Sequence, residues 1–287
     1  MRAEFDARVG PQRVVSPQRF VWDYWHIPGQ YSYVRTFARQ FFSPALYREF
    51  ATAVSKWGEV QLGCTSFTEP WLSYYIDGCG QELHSDVVQG AWSFVFSLTH
   101  WDERHFMGGE TVLLGAKTLD YWRHFDPTSP LEGDQIFDRM PPHFNQLLIF
   151  DGRIPHGVAR VIGSRDPLDS RVVVHGWFRE PTLHAEGGMS SRELEQSVKT
   201  LIERWQRDRP TYGRLNGLVT IRLRMDAGGT VLQADVLATN LVSLDGRLDG
   251  VDGAVTLALN EARFAQFPAA RSSQNTVVTI PFSAKDR

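Results

Sequence analysis

The stretch Trp71-Leu72-Ser73-Tyr74-Tyr75-Ile76-Asp77-Gly78-Cys79-Gly80-Gln81-Glu82-Leu83-His84-Ser85-Asp86 opens a change of texture in the chain. Its first six residues are rich in aromatic and β-prone side chains. They stop at Asp77-Gly78, a turn pair, and a His-x-Asp triplet follows. Further short β-rich runs come at 92–98, 110–114, 147–150, 158–162 and 171–178, separated by turn residues such as Gly108-Gly109 and Asp151-Gly152. So many short strands predict a mainly β domain of the jelly-roll or double-stranded β-helix type.

Working outward, residues 1–30 read as an irregular N-terminal arm rich in Pro, Gln and Arg, and 31–185 as the β domain with a flanking helix. Ser43-Pro44 opens that helix, Leu46, Phe50, Val54 and Trp57 recur at helical spacing, and Gly58 is the expected stop. Composition breaks near 185–189. Ser190 and Glu193 then form a capping box, and Leu194, Val198, Leu201, Ile202 and Trp205 make one apolar stripe. This predicts a connecting helix over 186–210, ended by Arg209-Pro210. Residues 211–287 read as a small α+β domain: strands at 217–225 and 231–241 around a turn at 227–230, a helix at 255–264 and a last strand at 276–282.

With 287 residues, 42% of them apolar, the chain can bury one large core, or one core and a small second domain. A formal charge of −3 gives no basic surplus for nucleic acid or an acidic membrane. Two cysteines, Cys64 and Cys79, make no disulfide framework, so reduced thiols and a cytoplasmic setting are expected. Residues 1–17 are charged and carry no apolar run, as neither a signal peptide nor an anchor would be. No stretch nears the ~20 apolar residues of a membrane span.

His84 and Asp86 stand at i and i+2, on one face if the strand continues. His156 follows 70 positions after Asp86. Two imidazoles and one carboxylate are the facial donor set of non-haem Fe(II) oxygenases, which leaves positions open for co-substrate and dioxygen. A His-x-Asp triplet is common by chance, so its surroundings decide. Tyr74-Tyr75-Ile76-Asp77-Gly78, His84-Ser85-Asp86, Phe106-Met107-Gly108-Gly109-Glu110-Thr111, Phe144-Asn145-Gln146-Leu147-Leu148-Ile149-Phe150 with His156-Gly157-Val158, and Arg171 with Trp177-Phe178 stand in that order. Residues 71–180 thereby resemble the prolyl-4-hydroxylase-like branch of the 2-oxoglutarate/Fe(II) dioxygenases.

The resemblance implies Fe(II) held by His84, Asp86 and His156, with 2-oxoglutarate and dioxygen as co-substrates and ascorbate as a supporting reductant. Arg171 matches the basic residue that pairs with the distal carboxylate of 2-oxoglutarate, a task suited to a planar guanidinium fork. Tyr74 stands where the family often places a hydroxyl near the co-substrate; the alternative is a core aromatic. Strand parity puts His175 on the face of Arg171, near iron or substrate but not as a fourth ligand. An intact Asp86 implies hydroxylation of an unactivated C–H bond, with desaturation or cyclisation open to the same site. The implied substrates are peptides, amino acids or natural-product intermediates. Trp71, Trp92, Trp101 and Trp122 line a cleft or fill a core, and 102–106 and 122–138 are candidate lids. Two departures stand out: the long step from His156 to Arg171, and Val173 where relatives carry a hydroxyl.

Asn216-Gly217-Leu218-Val219-Thr220-Ile221-Arg222-Leu223-Arg224, Asp226-Ala227-Gly228-Gly229-Thr230-Val231 and the end through Thr279-Ile280-Pro281-Phe282 resemble a TonB C-terminal-like domain. That implies an edge strand able to bind a peptide, or a structural appendage or dimer interface. Two other readings of the whole chain remain at this point: an inactive scaffold working through its C-terminal domain, and a cupin-type enzyme with another metal and no 2-oxoglutarate.

Overall fold

The computed structural model describes residues 1–10, 21–86, 89–121, 125–247 and 249–286. In chain order the strands are β1 (Asp23–Ile27), β2 (Tyr31–Phe37), β3 (Cys64–Phe67), β4 (Trp71–Tyr75), β5 (Gly80–His84), β6 (Trp92–Ser97), β7 (Thr111–Leu114), β8 (Phe137–Met140), β9 (Leu147–Phe150), β10 (His156–Val158), β11 (Arg171–Pro181), β12 (His184–Gly187), β13 (Leu215–Met225), β14 (Val231–Thr239), β15 (Val242–Ser243) and β16 (Thr276–Lys285). The helices are α1 (Arg2–Val9), α2 (Ala38–Phe41), α3 (Pro44–Leu62), α4 (Ala116–Tyr121), α5 (Gly133–Ile136), α6 (Ser191–Asp208) and α7 (Gly250–Arg263). The chain forms two compact units: Met1–Phe50 with Thr68–Trp177, and Ala51–Phe67 with Phe178–Arg287. The second unit thus claims residues 51–67 as well as the C-terminal third.

The first unit is mainly antiparallel β, in the order β8-β7-β10-β5-β2-β4-β11-β6-β9 with β1 beside β2. Alternation fixes which side chains share a face, and the strand registers show which face turns inward. Arg35 opposes Ser73, Tyr75 opposes Arg171, and Ser73 opposes Val173, so these residues share one face. The sheet curls, because strands far apart in this order meet at one place: Ser93 of β6 and Trp177 of β11 both reach Asp86, which follows β5.

The described parts of the N-terminal arm, 1–10 and 21–30, are not irregular: they hold α1 and β1. Phe5 of α1 is fully buried and packs against Trp22, Phe41 and Tyr74, while Arg2 donates to the Leu98 and Leu168 carbonyls. An apolar anchor and a satisfied buried arginine outweigh the polar composition around them. Also missed as strands were β1, β2 and β8, and the run expected at 158–162 pairs only over His156–Val158 apart from an isolated Met107–Ile162 bridge. Because β8 pairs with β7, part of the expected 122–138 lid is sheet; Trp122 lies outside the described residues.

The second unit is a sheet in the order β12-β16-β13-β14, with β15 beside β13. Leu194, Val198, Leu201 and Trp205 of α6 join Ala254, Ala258 and Ala262 of α7 and Ile221, Leu223, Ile280 and Phe282 of the strands in one core. The capping box of Ser190 and Glu193 is present. The helix expected to connect two domains is therefore part of this core, since its stripe is covered on the side it presents. Helix α3 does not stop at Gly58. A Cβ there would stand 2.5 Å from the Phe178 ring and 2.7 Å from the Cys64 carbonyl oxygen, so the glycine serves close approach rather than termination. Both cysteines are buried free thiols. Among the described residues no helix is long and apolar enough to cross a membrane.

Candidate metal centre

His84 ends β5 and His156 begins β10, and the two are direct partners in the antiparallel pairing. That register sets their rings 4.5 Å apart, centroid to centroid. The expectation that Asp86 continues the strand is corrected: β5 ends at His84. Ser85 instead donates to the Arg153 carbonyl and the Asp86 amide to the Gly152 carbonyl, so the chain turns toward the loop between β9 and β10. Asp86 still joins the histidines. Its Oδ2 lies 3.1 Å from His156 Nε2 and its Oδ1 3.6 Å from His84 Nε2. One donor atom from each of the three residues falls within 4.8 Å of the others.

The backbone selects the tautomers. His84 Nδ1–H donates to the Glu82 carbonyl at 2.9 Å and His156 Nδ1–H to the Ile154 carbonyl at 2.8 Å. Each ring thereby turns its Nε2 toward Asp86. Trp177 Nε1–H donates to Asp86 Oδ2 at 2.9 Å and Ser93 Oγ to the same oxygen at 3.4 Å. Gly152 makes room for this packing, since a Cβ there would meet Ser93 Oγ at 2.4 Å and Asp86 Cβ at 3.1 Å. Burial works to raise the Asp86 carboxyl, but His156, Trp177 and His84 outweigh it and hold the group below the usual carboxylate range. Burial pulls His84 down, against the Glu82 carbonyl and Asp86. Neutral imidazoles and a carboxylate suit a divalent transition metal.

These residues line a cavity of about 260 Å³ that also receives Arg171. Arg171 is 1% exposed. Its Nη2 donates to Thr111 Oγ1 at 3.1 Å and its guanidinium carbon sits 4.7 Å from the centroid of the Tyr75 ring, but Nε and Nη1 have no hydrogen-bond partner. Burial lowers its pKa, opposed by Tyr75 and Glu110. A buried cation with two unsatisfied donors beside a metal-type donor set is a seat for an anion.

Tyr74 is not at this site. It packs on the opposite face with Phe5 and Trp22, and Tyr75 takes the cavity position expected of it, because Tyr75 is the one directly opposite Arg171. His175 does line the cavity, bonded through Nε2 to Ser73 Oγ at 2.9 Å. Trp92 and Trp101 are buried, whereas Trp71 stacks on Phe37 at 3.9 Å. Tyr31, whose ring meets His84 edge-on at 5.0 Å, and the neighbouring Tyr33 and Arg35 were not foreseen. The alternation in Tyr31-Ser32-Tyr33-Val34-Arg35-Thr36-Phe37 was the available signal.

No family model matches the chain. No curated protein matches it either. Among solved structures, it is similar to a prolyl-4-hydroxylase from Pseudomonas putida at 17% identity, over 62% of this chain and 83% of that one, with a TM-score of 0.42. It is also similar to an oxidoreductase of the 2OG-Fe(II) oxygenase family from Burkholderia pseudomallei at 14% identity, over 41% of this chain and 46% of that one, with a TM-score of 0.28. At such values the reading of the site rests on its own geometry.

Proposed function

We propose that the first unit is a jelly-roll, double-stranded β-helix oxygenase domain. In this reading it binds Fe(II) through His84, Asp86 and His156, takes 2-oxoglutarate and dioxygen as co-substrates, and hydroxylates an unactivated C–H bond. The observation that carries it is Arg171: a buried guanidinium with free Nε and Nη1, opening on the same cavity as a two-imidazole, one-carboxylate donor set. A cupin-type site without 2-oxoglutarate would have no use for that charge. When bound, the iron would supply activation of dioxygen, the oxidant, one atom of which goes to succinate as 2-oxoglutarate loses carbon dioxide and the other to the hydroxylated C–H bond.

The residues of the chain have distinct tasks. Arg171 holds the distal carboxylate of the co-substrate, and Thr111 holds Arg171. Tyr75 covers the guanidinium with its ring and Val173 makes the wall beside it apolar, which strengthens the ion pair by excluding water. His84 and His156 present their Nε2 atoms, and Trp177 orients the Asp86 carboxylate. For the second unit we keep the TonB-C-like reading. The β13–β14 hairpin, the final strand β16 and the exposed Leu232 and Val236 on edge strand β14 favour strand addition by a peptide. The test of the oxygenase reading is anaerobic addition of Fe(II) and 2-oxoglutarate. A weak visible charge-transfer band, followed by succinate when air is admitted, is expected. No band and no succinate would refute it.

A further inference from the structure

The cavity has a second cation that the co-substrate does not use. Arg35 lies on the same sheet face as Arg171, two positions beyond Tyr33, and lines the same cavity. Its guanidinium carbon is 3.9 Å from the centroid of the Trp25 ring and 4.1 Å from that of Trp71. Two indoles flanking a guanidinium take up its faces and leave only its edge for hydrogen bonding, in the plane where a carboxylate binds through two oxygens. The Nε of Arg35 is buried without a partner. Asp23, opposite Arg35 in the β1–β2 register, is exposed, and among the described residues no carboxylate forms an ion pair with Arg35.

We propose that Arg35 is the substrate anchor, holding the carboxylate of a small carboxylic acid within reach of the His84–Asp86–His156 centre. This rests on the oxygenase reading for the other occupants of the cavity. There, the metal dication and Arg171 are matched charge for charge by Asp86 and the dianionic co-substrate. Arg35 is then the cation left over, and an anionic substrate completes the balance. Size points the same way. At about 260 Å³ the cavity is smaller than the ~300–1,000 Å³ usual for drug-sized ligands. A co-substrate and a small acid fill it, and an internal residue of a peptide, unless it is Asp or Glu, has no carboxylate to offer Arg35. The flanking Trp25 is 38% exposed, which places Arg35 toward the open side of the cavity, while Arg171 is enclosed.

The experiment uses the full chain, with and without anaerobic Fe(II) and 2-oxoglutarate. The probes are the N-acetyl derivatives of the common amino acids and the matching neutral N-acetyl amides, read by tryptophan fluorescence and thermal shift. At least one acid is expected to bind, and its amide to bind about tenfold or more weaker, the usual cost of losing one charge-assisted pair. Arg35→Gln should abolish the preference for acid over amide while keeping the thermal shift given by 2-oxoglutarate, which also shows that the variant is folded. Arg35→Lys, conserving charge and stem but not the planar fork, should weaken acid binding with the 2-oxoglutarate shift intact, and it stands in if the glutamine variant does not fold. The proposal is overturned if no acid binds the wild type, if acid and amide bind alike, if either folded variant binds acids as the wild type does, or if Arg35→Gln instead loses 2-oxoglutarate. Failure of the oxygenase reading looks different: no response to Fe(II) and 2-oxoglutarate, with acid binding through Arg35 intact in the metal-free protein.

Discussion

Arg171→Met should make the metal-free protein more stable while destroying its response to co-substrate. Methionine matches the length of the arginine stem and carries no charge. In the wild type, Nε and Nη1 are buried without partners, each costing about 1–3 kcal/mol. Against their removal stand the lost Thr111 bond, about 1 kcal/mol, and the lost contact with the Tyr75 face, about 1 kcal/mol. The balance is a gain of about 2 kcal/mol, which for a unit of this size raises the melting temperature by roughly 4–8 °C. The assay is denaturant and thermal unfolding in chelator, with and without 2-oxoglutarate and Mn(II). The wild type should gain stability from the pair of ligands, and the variant should gain it from the metal alone. A variant less stable than wild type in chelator would show that Arg171 is already satisfied by the protein, and a retained 2-oxoglutarate shift would remove it from the co-substrate site. Either result refutes the reasoning.

Further outcomes follow from other contacts. Burial, aided by Arg171 and opposed by Asp86, pulls His175 from 6.5 down to about 3. Its folded-state pKa is depressed, so its contribution to stability is full above pH 6.5 and falls as pH drops through the window toward 3. Between pH 7.5 and pH 5 this group should cost about 2 kcal/mol, and metal-free His175→Gln should lack that part of the acid destabilisation in paired urea titrations. Trp177→Phe removes the Nε1 bond to Asp86 and should weaken Mn(II) or Fe(II) binding about tenfold to a hundredfold, measured by competition with a chromogenic chelator; unchanged affinity would mean Asp86 is held by other groups. Gly58→Ala should destabilise the second unit by about 1–3 kcal/mol, because the new methyl meets the Phe178 ring and the Cys64 carbonyl. A neutral result in urea unfolding would show that this helix can shift.

Much of the site could be read from the chain, and the reasons are local. His84, Asp86 and His156 are polar residues in a fixed order among strand runs, and with Arg171 chosen by the resemblance, parity put His175 and Trp177 on its face. The Tyr74–Tyr75 choice failed because parity decides which residues share a face, but not which face turns inward. That is set by the register Tyr75–Arg171, a contact 96 positions apart in the chain. The second cation was missed for a related reason. Arg35 gains meaning only beside Trp25 and Trp71, which come from two other strands. Gly58 shows the limit of punctuation rules: a glycine reads as a stop until the ring that needs its space is known. The long step from His156 to Arg171 did no harm, since Asp77 accepts from the Gly163 amide and the Arg165 side chain and ties the extra residues down outside the sheet.

The three residues that could hold the metal are not positioned in the same way. Each imidazole is oriented by the carbonyl two residues before it in its own segment, so its aim survives most changes elsewhere in the chain. The Asp86 carboxylate takes its direction from Trp177 and Ser93, and the Asp86 backbone is tied by its amide to the Gly152 carbonyl, three separate parts of the fold. Distant substitutions would therefore reach a bound metal through Asp86, the one oxygen donor among the three side chains. Selection or engineering that retunes this centre without touching a ligand has Asp86 as its lever, and the histidines as its fixed frame.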